Sequence, residues 1–174
     1  MVERAQILHT DGRFVEASLT AGRAARKAGV GVVADADTFH EGLVDLARLS
    51  DYFIASEHFS ASFLKKNSPA EACRRIVELG PRVAAVTLGG KGYVALAEGR
   101  LIERAACPVQ AVDTTGCGDV FHAGFIYGLF QNWEVTQILR FANAVAALKC
   151  RSLGGRKGIP TLKEAEKLLS GMED

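Results

Sequence analysis

The sequence predicts an α/β fold, with a mostly parallel sheet flanked by helices. Three observations carry this. Short apolar runs of strand length alternate with helix-length stretches through the first hundred residues. Several of those runs are continuous and β-branched, as in strands buried on both faces. The chain has 174 residues, 48% hydrophobic and 24% charged, which suits one globular domain over 1–174; such a chain buries roughly 70% of its extended surface.

Ala5–His9 is a short apolar strand, and Glu16–Ala28 a helix with a small face at Ala17, Ala21, Ala24, Ala25 and Ala28. Gly29 stops it. Val30–Ala34 reads as a buried parallel strand. Glu41–Leu49 is a short helix, followed by the strand Tyr52–Ala55. Helices follow over Glu57–Lys65 and Pro69–Leu79, the second opened by its proline. Arg82–Leu88 is a strand. Gly92–Ala97 and Leu101–Ala105 form a hairpin turning at Glu98-Gly99-Arg100. A strand-like segment then runs to Val112. Three helices close the chain: Gly118–Phe130, Glu134–Lys149 and Leu162–Leu169. In such sheets ligands collect outside the carboxyl ends of the strands, which points to the loops after Ala34, Ala55, Leu88 and Val112.

Composition excludes several functions. Twenty-one Lys and Arg against 20 Asp and Glu leave +1, too little for a protein that mainly neutralises nucleic-acid phosphates. No run approaches the ~20 apolar residues of a membrane span, and no apolar signal core follows Met1-Val2-Glu3-Arg4. Cys73, Cys107, Cys117 and Cys150 form no Cys-x-x-Cys pair. They read as reduced thiols in a cytoplasmic protein. His9, His40 and His58 are scattered, so no zinc site is expected. His122 sits on an apolar helix and reads as packed there.

The densest chemical signal is Val112-Asp113-Thr114-Thr115-Gly116-Cys117-Gly118-Asp119. A helix start offers unpaired N–H groups and partial positive charge. Gly116 and Gly118 let those amides approach an anion, and Asp119 lies in the first turn. That aspartate reads either as a proton acceptor for an attacking hydroxyl or as a helix cap. Two other phosphate motifs fail. A Walker loop needs Ser or Thr after Lys91, where Gly92 stands, and a dinucleotide turn needs glycine at Phe121.

The motif Asp-Thr-Thr-Gly-Cys-Gly-Asp, followed by Val120-Phe121-His122-Ala123-Gly124, resembles the signature of the ribokinase-like (PfkB) carbohydrate kinases. Cys117 stands where alanine is commonest in that family and reads as a small spacer. Val86-Thr87-Leu88-Gly89-Gly90-Lys91-Gly92 resembles the family's nucleotide turn. Phe141–Leu148 resembles the helix beside its adenine pocket, and Gly154, Gly155 and Ile159-Pro160-Thr161 its closing segment. His9–Arg13 and the Ala-rich helix after it are most like the ketohexokinase and sugar-kinase branch.

The resemblance implies γ-phosphate transfer from ATP to a sugar hydroxyl. Asp119 would be the catalytic base, and Gly116, Cys117 and Gly118 the anion hole. Thr87, Gly89, Gly90, Gly92 and Asn143 would bind ATP. Asp113 and Thr115 match a monovalent-cation site that holds potassium, with Lys149, Ser152, Gly154 and Gly158 at its downstream positions. The family's Asn-x-x-Glu, which organises magnesium, is replaced by Ser56-Glu57-His58-Phe59. Glu57 and Asp35 are then the acidic groups expected near magnesium, with Asp37 as a further source of charge. Family members run to about 300 residues, so the chain is expected to lack the amino-terminal part, the lid and most sugar contacts. It is therefore expected to bind nucleotide and a small sugar-like substrate, with no nucleic-acid or membrane partner, or to be a truncated, non-catalytic nucleotide-binding module. Sheet edges left bare would favour a homo-oligomer.

Overall fold

The structure is a computed structural model and describes residues 2–66 and 68–172. It divides into two compact units. One holds the chain up to Gly89 together with Tyr93–Arg104; the other holds Gly90–Gly92 and the chain from Ala105 onward.

The first unit contains a six-stranded sheet: β1 (Ile7–Thr10), β2 (Gly31–Ala36), β3 (Tyr52–Ser56), β4 (Val83–Thr87), β5 (Tyr93–Ala97) and β6 (Arg100–Arg104). Spatial order follows chain order. β1 to β4 are parallel, and β5 and β6 add antiparallel strands. The connections are α1 (Val15–Ala28), α2 (Glu41–Leu49), and the pair α3 (Glu57–Leu64) and α4 (Pro69–Leu79). Each parallel step moves one strand in the same direction, so right-handed crossovers place all these helices on one face. The core agrees. Leu19, Leu43, Leu46, Phe59 and Ile76 from the helices pack with Ala34, Ala36, Phe53, Ala55, Ala84, Val86 and Val94 from alternate strand positions. Asp51 fixes the start of β3 against β2. Its carboxylate accepts the Val32 N–H at 2.9 Å, and its own N–H donates to the Val32 carbonyl.

The second unit is helical: α5 (Cys117–Phe130), α6 (Val135–Lys149) and α7 (Leu162–Ser170). α5 and α6 lie close because glycines face the contact. A Cβ on Gly124 would come within 2.5 Å of Val145 and one on Gly128 within 2.8 Å of Ile138. Val120, Phe141, Val145, Leu148 and Ala165 form the core, with Tyr127 and Trp133 against it. α7 opens with a capping box, Thr161 Oγ1 accepting from Glu164 N and the Glu164 carboxylate accepting from Thr161 N.

Most expected elements appear with ends shifted by one or two residues. β1 starts at Ile7 and α5 at Cys117. β2 runs on to Ala36, so Asp35 lies inside a strand rather than after one. One expectation fails: the segment before Val112 is not a strand. It contains Pro108, which has no N–H for a ladder. The N–H groups of Val112 and Asp113 donate instead to the carbonyl of Cys150, at 2.7 and 3.0 Å.

Candidate active site

In the first unit, the predicted residues gather at the carboxyl ends of β3 and β4. Ser56 and Thr87 are register partners there. Ser56, Glu57, His58, Thr87 and Gly89 line one open hollow, so the structure brings Glu57 to Thr87 and Gly89. Thr87 Oγ1 donates to the Ala55 carbonyl at 3.3 Å. Ser56 caps α3: its Oγ accepts the Phe59 N–H at 3.0 Å and donates to the Asp37 carbonyl at 2.8 Å. Phe59, where the family carries an acid, is only 2% exposed. Its ring lies 5.5 to 5.7 Å from those of Phe39, Phe53 and Phe63. A carboxylate there would lose its hydration with no partner among those rings. The aromatic cluster thus suits Phe59 and would not suit an acid at this position.

In the second unit, the Asp113–Asp119 loop is bound along its length. The Asp113 carboxylate accepts the Thr115 N–H at 2.9 Å and the Gly154 N–H at 2.6 Å. The Thr115 amide, then that of Gly154, holds its pKa down at about 2. Gly116 is the N-cap of α5, in the left-handed region at φ 75°. A Cβ there would come within 2.9 Å of the Gly155 carbonyl oxygen. The loop is therefore closed against the segment after α6 by backbone contact that only glycine permits.

The N–H of Cys117 donates to the Thr114 carbonyl at 3.0 Å. It is committed to the turn, which leaves the amides of Gly118 and Asp119 as the first-turn donors without an intrahelical carbonyl. Of the predicted Gly116–Gly118 amides, that of Cys117 is thus used within the turn. Open space surrounds the Gly118 Cα, and Asp119 is exposed.

Asn143 is half-buried on α6, and its side-chain amide donates to the Ala105 carbonyl at 2.9 Å. It anchors the chain leaving β6. His122 is buried and meets Phe121 edge-on, as its apolar helix suggested. The expectation of four reduced thiols is corrected, because Cys117 and Cys150 are joined as a disulfide with Cα atoms 6.4 Å apart. The hydrogen bonds from Val112 and Asp113 to Cys150 bring the two segments into bridging range. Cys73 and Cys107 are free and buried; burial pushes the Cys73 thiol up to about 12.

The resemblance also placed Lys149 at a downstream position of the cation site. The structure buries it completely, its Nζ donating to the Asp113 carbonyl at 3.1 Å. Its position in the last turn of α6 gave a signal for helix-end charge but none for burial.

The parallel sheet and the glycine-capped helix define an α/β protein of the ribokinase-like fold, as solved structures show. A putative ribokinase from Agrobacterium tumefaciens superposes with a TM-score of 0.90 at 26% identity, over 98% of this chain and 57% of that one. Arabidopsis thaliana ribokinase, solved with ribose and ATP, gives 0.84 at 27% identity, over 97% and 57%. The family profile of the pfkB family carbohydrate kinases matches residues 1–162, and the chain belongs to that family. Among curated relatives, ribokinase of Bacillus subtilis is 34% identical over 119 residues, 68% of this chain and 39% of the relative. This chain therefore spans about two-fifths of that relative's length. No helix among the described residues is long and apolar enough to cross a membrane.

Proposed function

We propose that this chain supplies the phosphoryl-transfer half of an ATP-dependent sugar kinase. Asp119 takes the proton from a sugar hydroxyl as that oxygen attacks the γ-phosphorus of ATP. The P–O bond to ADP breaks, and ADP leaves with the electron pair. The first-turn amides of α5 stabilise the charge on the transferred group. Thr87, Gly89, Gly90 and Gly92 bind the nucleotide. Glu57 fits a place on the magnesium side, because it shares a hollow with Thr87 and Gly89; Asp35 is a second acidic candidate. Magnesium, when bound, neutralises phosphate charge.

The observation that carries this reading is the Gly116 cap. Its backbone, packed against Gly155, sets an exposed carboxylate and two first-turn amides on the same helical turn. Family membership and a relative solved with ribose and ATP support it. Turnover with ribose, other sugars and nucleosides tests it, with Asp119→Asn as the comparison. A variant as active as the wild type would remove Asp119 from the chemistry.

A second reading is a nucleotide-binding module without turnover that self-associates through the edge of β1. It is favoured by β1 standing at the sheet's edge among the described residues. Nucleotide binding by calorimetry without turnover of any acceptor would select it; light scattering reads the association.

A further inference from the structure

The second unit contains a charge that the phosphoryl-transfer reading does not use. A lysine in the last turn of a helix ordinarily extends into water. Lys149 instead has 0% exposure, and its Nζ lies 3.1 Å from the Asp113 carbonyl oxygen. Burying such an amine is costly unless it is hydrogen-bonded and near opposite charge. Asp113 offers its carbonyl oxygen as acceptor, and its carboxylate acts on the lysine electrostatically. The segment after α6 closes the site. Gly154 donates to the Asp113 carboxylate, and a Cβ on Gly158 would strike Ser152 at 2.7 Å and the Lys149 carbonyl at 3.0 Å.

These are the positions to which the resemblance assigned a monovalent cation: Asp113, Thr115, Gly154 and Gly158. Their arrangement does not fit one. The three oxygens of Asp113 each already accept from a nitrogen: the carbonyl from Lys149, one carboxylate oxygen from Thr115 and the other from Gly154. A free cation beside the Asp113 carbonyl would meet the lysine's own charge. At such separations repulsion is strong where water is excluded.

We propose that Lys149 is a tethered cation, a positioning residue that replaces an exchangeable monovalent ion. It orders the Asp113–Gly116 loop, and through it the first turn of α5, without potassium. Only the functional consequence of this inference rests on the proposed kinase reading, because loop order is measurable without turnover.

The experiment compares thermal unfolding of the full chain in potassium chloride and in choline chloride at equal ionic strength. The wild type is expected to melt at the same temperature in both. Lys149→Ala removes the charge and leaves space for an ion. It is expected to melt lower in choline and to regain part of the loss in potassium or methylammonium, with saturation. Lys149→Met fills the space without charge and should melt lower with no ion selectivity. A wild type stabilised by potassium over choline overturns the proposal, and that arm needs no variant to fold. So does a Lys149→Ala variant indifferent to every cation. A merely structural lysine would not produce selective rescue by a small cation. Failure of the kinase reading would appear instead as absent turnover with these melting patterns intact.

Discussion

Two glycine turns in this chain are held in different ways. The turn at Gly89–Lys91 follows β4 directly. Gly89 has φ 57°, yet a Cβ there would meet nothing within 4 Å, and the same space is open at Gly90. The loop ending at Gly116 also needs positive φ, but there a side chain would strike the Gly155 backbone. Its polar groups are tied to Lys149, Cys150 and Gly154, more than thirty residues away in the chain. One turn is specified by local backbone conformation and presents an open surface. The other is specified by distant contacts and presents a fixed one. Binding tolerates the first kind of support. A base that must meet a proton within hydrogen-bond reach needs the second.

The sharpest way to break this contrast is to compare Asp119→Asn with Thr87→Val. Loss of a general base typically costs about 10²–10⁴ in rate. Asp119→Asn is expected to lower kcat by about that factor and to leave nucleotide affinity near wild type. Thr87→Val is expected to weaken nucleotide binding, with a smaller effect on kcat. Steady-state kinetics and calorimetry separate the two. A Thr87→Val variant that loses kcat as severely would place chemistry on the open turn and erase the distinction.

Stability sharpens it further. Gly116→Ala combines a left-handed backbone, about 1–2 kcal/mol for a residue with a Cβ, with overpacking of about 1–3 kcal/mol against Gly155. Denaturant unfolding should show a loss of about 2–5 kcal/mol. Gly89→Ala carries the conformational cost alone and should lose about 1–2 kcal/mol. Equal losses would mean that the Gly155 contact relaxes freely and that the Asp113–Gly116 loop is no more constrained than the other.

Much of this was legible in the residues, for a physical reason. β2, β3 and β4 are short apolar runs whose alternate positions face α1 to α4, and periodicity reports that directly. The first-turn place of Asp119 is equally local, because the glycine motif is contiguous in the chain. The misses are long-range. Ala105–Val112 is apolar enough for a strand, but its last amides bond to Cys150. Cys117 and Cys150 are 33 residues apart, and no spacing rule pairs them. The burial of Lys149 had no signal in the sequence, because it involves Asp113, 36 residues away. The Asn143 bond to the Ala105 carbonyl spans 38 residues and had no signal in the sequence either.

The smallest expected effect on stability is the most informative about the site. Gly118 occupies the first turn of α5, beside Gly116, yet a Cβ there would meet nothing within 4 Å. Alanine is the better helix former by about 1 kcal/mol in a helix interior and by less in a first turn. Gly118→Ala should therefore leave stability unchanged or raise it slightly. The methyl would nevertheless stand beside the amides assigned to the anion, and close approach to those amides is the only evident reason for a glycine there. Affinity for a nucleoside triphosphate, read by calorimetry, is expected to fall by about tenfold, a cost of about 1.4 kcal/mol. Unchanged affinity would show that the space faces only solvent, and the anion would then have to lie elsewhere than on the first turn of α5.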